Sequence, residues 1–227
     1  MYLSKLRLLV LFLFLCIVLW HCSRSDGPID AGRYRPEVGD GLEELPQKWE
    51  DPVGPRSYRV LQMGAQQWLG DNLFTVVANS WCYEEHRKNC GTYGRIYTAE
   101  AARYACRGLG EGWRLPTLEE WKKLLSAYGG YVAENGAAVG PSPEAARINL
   151  TNPNLPFRAQ IGGIRTIDGA YQDEQIQTFY WTSTELGDYT RWYALVVEEM
   201  GIGFRVVPLP KKAGGYCRCI RDQTIVE

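Results

Sequence analysis

The feature that most constrains this chain is an apolar run close to its amino terminus. The run extends from Leu8 to Trp20 without a charge, and Lys5 and Arg7 precede it. As a helix it would be ~20 Å long, at ~1.5 Å per residue, shorter than the ~30 Å hydrocarbon core of a bilayer. A cationic start followed by a short apolar run is typical of a cleaved export signal. The sequence therefore predicts a folded domain outside the cytoplasm, where cysteines can form disulfides.

A cysteine, Cys22, follows the apolar run after one intervening residue. With Leu19 three positions before it, this arrangement resembles a bacterial lipoprotein signal. The resemblance implies a signal peptide over residues 1–21 and lipid attachment at Cys22, which would hold the protein on the outer membrane, facing the cell surface or the periplasm. An ordinary secretory signal and an uncleaved anchor are the alternatives, and both also export the chain.

The composition limits the partners that the exported chain is suited to bind. Its 227 residues include 25 Lys or Arg and 26 Asp or Glu, and the basic residues form no block. Nucleic acid is therefore not an expected partner, because it requires a concentrated positive surface. Eight Trp and fourteen Tyr can serve both core packing and recognition, because each side chain combines apolar area with a polar group.

Residues 22–56 have the composition of a tether. Apolar residues are sparse there, and neither a helical nor an alternating period is visible. Prolines interrupt the segment at five positions: Pro28, Pro36, Pro46, Pro52 and Pro55. Such a segment buries too little surface to offset the entropy lost on ordering. We therefore predict a lipid-anchored flexible tether over residues 22–56, with a short helical turn over residues 42–49.

The globular domain is predicted over residues 57–223, and its first half contains a hairpin and two helices. Residues 58–63 and 66–69 alternate between apolar and polar side chains around a Gly-Ala turn, which predicts a β-hairpin. The first helix begins after Thr98. The second follows Thr117, which forms a capping box with Glu120.

The second half of the domain is predicted to be a long loop region followed by strands. Residues 131–178 are rich in Gly, Pro and Asn, with one short helix beginning near Ser142 and Pro143. Strand patterns return in the last part of the chain, over residues 179–182, 191–197, 203–207 and 216–221. This order of strands, two helices, loops and strands predicts an α+β domain.

Five ordered motifs resemble the Fibrobacter-type major paralogous domain family. They are Trp68-Leu-Gly-Asp-Asn72; Ser80-Trp-Cys-Tyr83 with Cys90 and residues 93–98; Ala105-Cys106 with residues 112–117 and 120–121; Trp181-Thr-Ser-Thr-Glu185; and Arg218-Cys-Ile-Arg-Asp222. The resemblance covers residues 58–222. It implies a secreted or surface protein, often a lipoprotein, and it transfers no activity.

Residues 113–121, Trp-Arg-Leu-Pro-Thr-Leu-Glu-Glu-Trp, also resemble part of the formylglycine-generating enzyme family. Both resemblances imply a C-type-lectin-like domain. Such a domain has two helices, small antiparallel sheets and a long irregular loop region. The order of elements predicted above agrees with that fold.

Five cysteines lie in the predicted domain. Cys82 and Cys90 are close enough in sequence to close a short loop. The lectin-like resemblance implies that Cys106 pairs with the last strand, where Cys217 and Cys219 share a face because side chains alternate. The family motif matches Cys219, so the resemblance implies Cys106–Cys219 with Cys217 free. The alternative is a soft-metal or redox site at Cys106, Cys217 and Cys219, as in a formylglycine-generating type of cysteine oxidoreductase.

The remaining motifs do not predict an enzyme. His86 is the only histidine after residue 21, and no nucleophile motif places a serine beside it. Glu119 and Glu120 lie at a helix start, where carboxylates interact favourably with the dipole. Asn152 precedes Pro153 where sugar-binding C-type lectins carry an acidic calcium ligand. We therefore expect no catalytic residue, no cofactor and no metal.

Recognition through the long loops remains as the expected function. Aromatic faces beside carboxylates suit sugar rings or protein side chains. The candidate ligand-binding residues are Tyr171, Asp173, Trp181, Glu185, Tyr189 and Trp192, with Tyr193 in the same strands; for Trp181 a place in the core is the favoured alternative. The preferred hypothesis is a surface or periplasmic lipoprotein module that binds a glycan or a protein. An envelope-assembly or structural protein is the main alternative.

Overall fold

The computed structural model describes residue 36 and residues 41–223. The predicted signal peptide, Cys22 and most of the predicted tether lie outside these residues. The described helices are α1 (Arg87–Tyr93), α2 (Ala99–Gly108), α3 (Leu118–Ala127) and α4 (Pro143–Thr151). The described strands are β1 (Glu43–Glu50), β2 (Ser57–Met63), β3 (Gln66–Leu69), β4 (Ser80–Trp81), β5 (Ile96–Tyr97), β6 (Tyr131–Val132), β7 (Ala138–Val139), β8 (Gly162–Arg165), β9 (Tyr171–Glu174), β10 (Gln177–Glu185), β11 (Arg191–Glu198), β12 (Arg205–Pro210) and β13 (Ile220–Asp222).

The strands form one large sheet and two smaller ones, so the domain is α+β. The large sheet has seven strands in the order β7-β6-β12-β11-β10-β8-β9. It is mixed, because β6 runs parallel to β12 and β8 runs parallel to β10. The second sheet, β1-β2-β3-β13, is antiparallel and brings the two ends of the domain together. The third is the short pair β4-β5.

The first part of the fold begins earlier than predicted. Residues 43–50 form β1, an edge strand antiparallel to β2, so the helical turn predicted over residues 42–49 is wrong. The prediction of an irregular tether up to residue 56 is wrong for the same segment. The sequence of β1 shows no clear alternation of apolar and polar residues, because an edge strand tolerates a proline and charged side chains. The β1–β2 register shifts between Glu44 and Lys48, on either side of Pro46.

The region predicted as a long irregular loop is substantially ordered. It contains β6, β7, α4, β8 and β9, and α4 is the short helix that was predicted there; the helix that was not predicted, α1, lies earlier in the chain. Ser142 caps α4 and Pro143 is its first residue, as the sequence predicted. The turn signal at Asp168-Gly169 agrees with the antiparallel pair β8–β9. Strands of two residues show no clear period in a sequence, which explains why β6 and β7 were missed.

The local signals at α2 and α3 are confirmed. The Thr98 hydroxyl accepts the amide of Ala101 at the start of α2. At α3, Thr117 and Glu120 form the complete capping box.

Within the described part of the chain, no helix is long and apolar enough to cross a membrane.

Glu120 links the start of α3 to the antiparallel sheet. Its carboxylate accepts hydrogen bonds from Arg114 at 2.6 Å, from the backbone amide of Thr117 at 2.8 Å and from Gln66 at 2.8 Å. Burial acts to raise the pKa of Glu120, but the hydrogen bonds from Arg114 and Thr117 outweigh it and lower the pKa from 4.5 to about 2.

This lowered pKa predicts a specific acid sensitivity. The folded state favours the ionised carboxylate of Glu120, and this contributes its full stabilisation above the pKa of a glutamate in the unfolded chain. The stabilisation is lost as the pH falls toward 2, because the carboxylate is then protonated in the folded state as well. In urea unfolding, the free energy of unfolding of the Glu120→Gln variant should fall between pH 5 and pH 2 by roughly 2 kcal/mol less than that of the unsubstituted protein. Glu119→Gln is the matched control, since the Glu119 side chain is 79% exposed. Equal acid sensitivity of the two variants would contradict this role.

Two buried clusters fill the space between these elements. In the first, the Trp121 ring packs edge-on against Trp68 at 5.1 Å and lies near Tyr180 and Phe157. The second lies under α2 and includes Trp113, Trp181, Trp192 and the cysteines of the last strand. Much of the aromatic content of the sequence is therefore core.

Candidate functional site

Both predicted disulfides are present. Cys82 pairs with Cys90 across a separation of eight residues, and Cys106 on α2 pairs with Cys219 across a separation of 113. Cys217 is a buried free thiol whose pKa is raised by desolvation. The pairing that the family resemblance implied is therefore confirmed.

The sulfurs of Cys106, Cys217 and Cys219 lie within 4.8 Å of one another, as the alternative of a soft-metal or redox site requires. However, two of these three sulfurs are bonded to each other, which leaves one thiol as a donor. All three residues are 0% exposed, so the cluster is closed to solvent in this structure. The residues in this state do not fit a bound copper or zinc ion.

Two of the predicted ligand-binding residues are core residues instead. Trp181 and Trp192 are both 0% exposed, and their rings meet edge-on at 6.4 Å. The Trp181 indole donates to the carbonyl of Tyr97 at 2.8 Å, which satisfies its polar atom inside the fold. Their assignment as ligand contacts is wrong, because they occupy the face of the large sheet that α2 covers.

The other four predicted residues lie in two separate places. Tyr171 is half-buried on β9, donates to Glu85 at 2.6 Å, and has its pKa raised to about 12 by burial and by that acceptor. Asp173 is nearby and accepts from Gln177 at 2.7 Å. At the other location, Tyr189 is 83% exposed in the turn between β10 and β11.

Glu185 lies near that turn and is held by two cations. It accepts from Arg103 at 2.6 Å and from Lys211 at 3.4 Å. The hydrogen bond from Arg103 lowers the pKa of Glu185. These pairs fix the carboxylate on the protein surface, so the predicted residues do not converge on one site.

The structure brings a different set of side chains together in an open groove between α3 and the large sheet. Its volume is about 800 Å³. We call it the α3 groove, and its lining residues are Leu118, Glu119, Lys122, Tyr131, Ala133, Glu134, Asn135, Thr184, Tyr193 and Val206. The lining combines two aromatic rings with an ammonium, two carboxylates, an amide and a hydroxyl.

The charged groups of the α3 groove are held against its tyrosines. Lys122 lies 2.8 Å from a Glu119 oxygen and 5.9 Å from the centre of the Tyr131 ring. The Glu119 hydrogen bond raises the pKa of Lys122. On the opposite wall, the Tyr193 hydroxyl donates to Glu134 at 3.2 Å. Desolvation and the Glu134 acceptor raise the pKa of Tyr193. Both rings are half-buried, and this leaves part of each ring facing the groove.

One signal in the sequence could have located part of this groove. Tyr193 lies next to Trp192 on β11, and alternation directs the two side chains to opposite faces of the sheet. Tyr131, Lys122 and Glu134 carry no such signal, because they approach Tyr193 only through the packing of α3 and β6 on the sheet.

The comparison with known families agrees with the five sequence motifs. The family model of the Fibrobacter succinogenes major domain matches residues 61–221. The chain belongs to this family. The matched residues include α1 to α4, the α3 groove and both disulfides of the family domain. No curated protein and no solved structure gives a significant match.

Proposed function

We propose that this member of the family is an exported, lipid-anchored binding module that holds a carbohydrate in the α3 groove. The observation that carries the proposal is the pairing of two half-buried tyrosines, Tyr131 and Tyr193, with polar groups on both walls of one groove. Its volume is within the ~300–1,000 Å³ range of small-molecule sites.

The lining matches the chemistry of a sugar. A tyrosine ring presents an apolar face to the C–H side of a pyranose, while sugar hydroxyls require donors and acceptors at its edge. Glu119, Glu134 and Asn135 offer acceptors, and Lys122 and Asn135 offer donors. The salt bridge between Lys122 and Glu119 neutralises these two charges and leaves the carboxylate of Glu134, which favours a neutral glycan over an anionic one.

The location and the lectin-like fold are parts of the same proposal. Disulfides such as Cys82–Cys90 and Cys106–Cys219 support an oxidising compartment outside the cytoplasm. The apolar run before Cys22 supports export, with the lipid on that cysteine as the attachment to the outer membrane. The link from α2 to the last strand supports a C-type-lectin-like arrangement.

Glycan-array screening of the full protein in mild detergent tests the binding function. We expect binding to a subset of glycans, and Tyr193→Ala should weaken the affinity for the best of them about tenfold, since a lost aromatic contact costs on the order of 1 kcal/mol. Tyr193→Phe should retain most of the affinity, because it preserves the ring and loses only the hydroxyl bonded to Glu134.

Tyr104→Ala is the matched control for this screen. Tyr104 is 70% exposed on α2 and does not line the α3 groove. A silent array, or equal affinities for Tyr193→Ala and Tyr104→Ala, would contradict carbohydrate binding in the groove. A silent array would leave envelope assembly as the better proposal.

A further inference from the structure

Three large aliphatic side chains are exposed close together at one end of the large sheet. Met200 is 93% exposed, Ile202 is 68% exposed and Ile176 is 61% exposed. Met200 and Ile202 lie in the turn between β11 and β12, and Ile176 precedes β10. The amide of Glu199, next to Met200, donates to the carbonyl of Ile176 at 2.9 Å, which joins the two turns. We call these three residues the apolar tip.

The chain enters the domain at the same end. The amide of Leu42 donates to the Tyr128 hydroxyl at 2.8 Å, at the end of α3. Four residues further on, the amide of Val132 donates to the carbonyl of Phe204 at 2.8 Å. Phe204 follows the apolar tip by two residues. These two hydrogen bonds, together with the short chain segments beside them, place the entry point at Leu42 near the apolar tip.

The opposite end of the large sheet contains the exposed Tyr189. Strands β10 and β11 are nine and eight residues long, and at ~3.3 Å per residue they separate the tip from the β10–β11 turn by about 25 Å. Helix α3 spans the same two ends, because the amide of Leu118 at its start donates to Thr184 at 2.9 Å, near the Tyr189 end. The apolar tip and Tyr189 therefore lie at opposite ends of the domain.

We propose that the apolar tip rests on the membrane to which the amino-terminal lipid attaches. This inference rests on the proposed lipid anchor at Cys22. Leu42 lies 20 positions after Cys22, and a chain of that length spans at most ~70 Å, so the domain stays near the bilayer with its entry end available to it. Exposed aliphatic side chains are stabilised when they leave water for the interfacial region of a bilayer.

The charges around the apolar tip indicate the kind of membrane surface that fits. Arg205 pairs with Glu198 at 2.8 Å, and Arg147 donates to the backbone carbonyl of Glu199 at 2.7 Å. The side chain of Glu199 is exposed next to Met200. The surroundings therefore provide no excess of positive charge for anionic lipid, and the contact is apolar. A zwitterionic lipid surface is the expected partner.

Fluorescence of labelled cysteines tests this orientation. An environment-sensitive nitrobenzoxadiazole label is placed on Met200→Cys, and on Tyr189→Cys as the matched control at the other end. Cys217 is buried and the remaining domain cysteines are paired, so the new thiol is the reactive one in the folded domain. The full protein is reconstituted into vesicles of phosphatidylcholine and phosphatidylethanolamine, and only vesicle-bound protein recovered by flotation is measured.

On vesicles, the emission maximum of the label at position 200 should shift to shorter wavelength. Its emission should lose at least half of its intensity when nitroxide-labelled lipid is included. The label at position 189 should keep its aqueous spectrum. Equal behaviour of the two labels on floated protein would overturn the membrane contact while leaving the anchor intact. Protein that does not float would overturn the anchor and, with it, the membrane contact.

Discussion

Cys106→Ala should lower the free energy of unfolding by about 4 kcal/mol. The Cys106–Cys219 disulfide closes a loop with a sequence separation of 113, and in the chain-entropy model a cross-link of that length removes a large part of the freedom of the unfolded chain. The change should lower Tm by roughly 10 °C in a domain of this size. Urea unfolding without reductant measures the effect. Cys106 is the residue to replace because Cys217 and Cys219 both lie within reach of its sulfur.

Cys217→Ala is the control for this prediction. It removes a buried sulfur of the same cluster and leaves the disulfide in place, so the expected cost is about 1 kcal/mol, as for a small core cavity. If Cys106→Ala and Cys217→Ala unfolded at the same urea concentration, the disulfide would not be the main support of the link between α2 and the last strand.

Arg218→Met should destabilise the domain by roughly 3–5 kcal/mol, because it leaves several buried acceptors without donors. Arg218 is 0% exposed, and burial lowers its pKa. Its guanidinium donates to the Asn72 side chain at 2.7 Å, to the carbonyl of Leu69 at 3.3 Å and to the carbonyl of Arg158 at 3.1 Å. It also lies 4.4 Å from the centre of the Phe157 ring.

These contacts join three segments that are far apart in sequence, so their loss should be cooperative and visible as a lower urea midpoint. Arg191→Met is the comparison, since Arg191 forms an ion pair with Asp188 at the surface and such pairs contribute ~1 kcal/mol or less. A destabilisation by Arg218→Met as small as that by Arg191→Met would show that solvent or another side chain replaces the buried network.

The parts of the fold that the sequence predicted are those with local physical signals. The capping box at Thr117 and the hairpin before Gly70 depend on residues a few positions apart, and both are present. By contrast, β1 is held by pairing with β2 and by the packing of Trp49 on Trp113 at 5.6 Å. Neither contact is visible in a segment that contains Pro46 and mostly exposed side chains.

The candidate site shows the same division between local and long-range information. Aromatic content suggested core packing and recognition surfaces as two possibilities, but it did not distinguish Trp192, which is core, from its neighbour Tyr193, which lines the α3 groove. Only the packing of helices on the two faces of the sheet distinguishes them, because α2 covers the face with Trp192 and α3 leaves part of the face with Tyr193 open. Glu134 joins the groove through its hydrogen bond with Tyr193, which is 59 residues away in sequence.

The central claim is that a disulfide-bonded domain is exported and held on a membrane by lipid at Cys22. Intact-mass analysis of the protein extracted from the membrane fraction of its own cells tests this claim most directly. The account predicts a chain that begins at Cys22, carries acyl lipid there, contains two disulfides and alkylates at one domain cysteine, Cys217, after denaturation. A chain that begins at Met1 without lipid, with all seven cysteines open to alkylation, would contradict it.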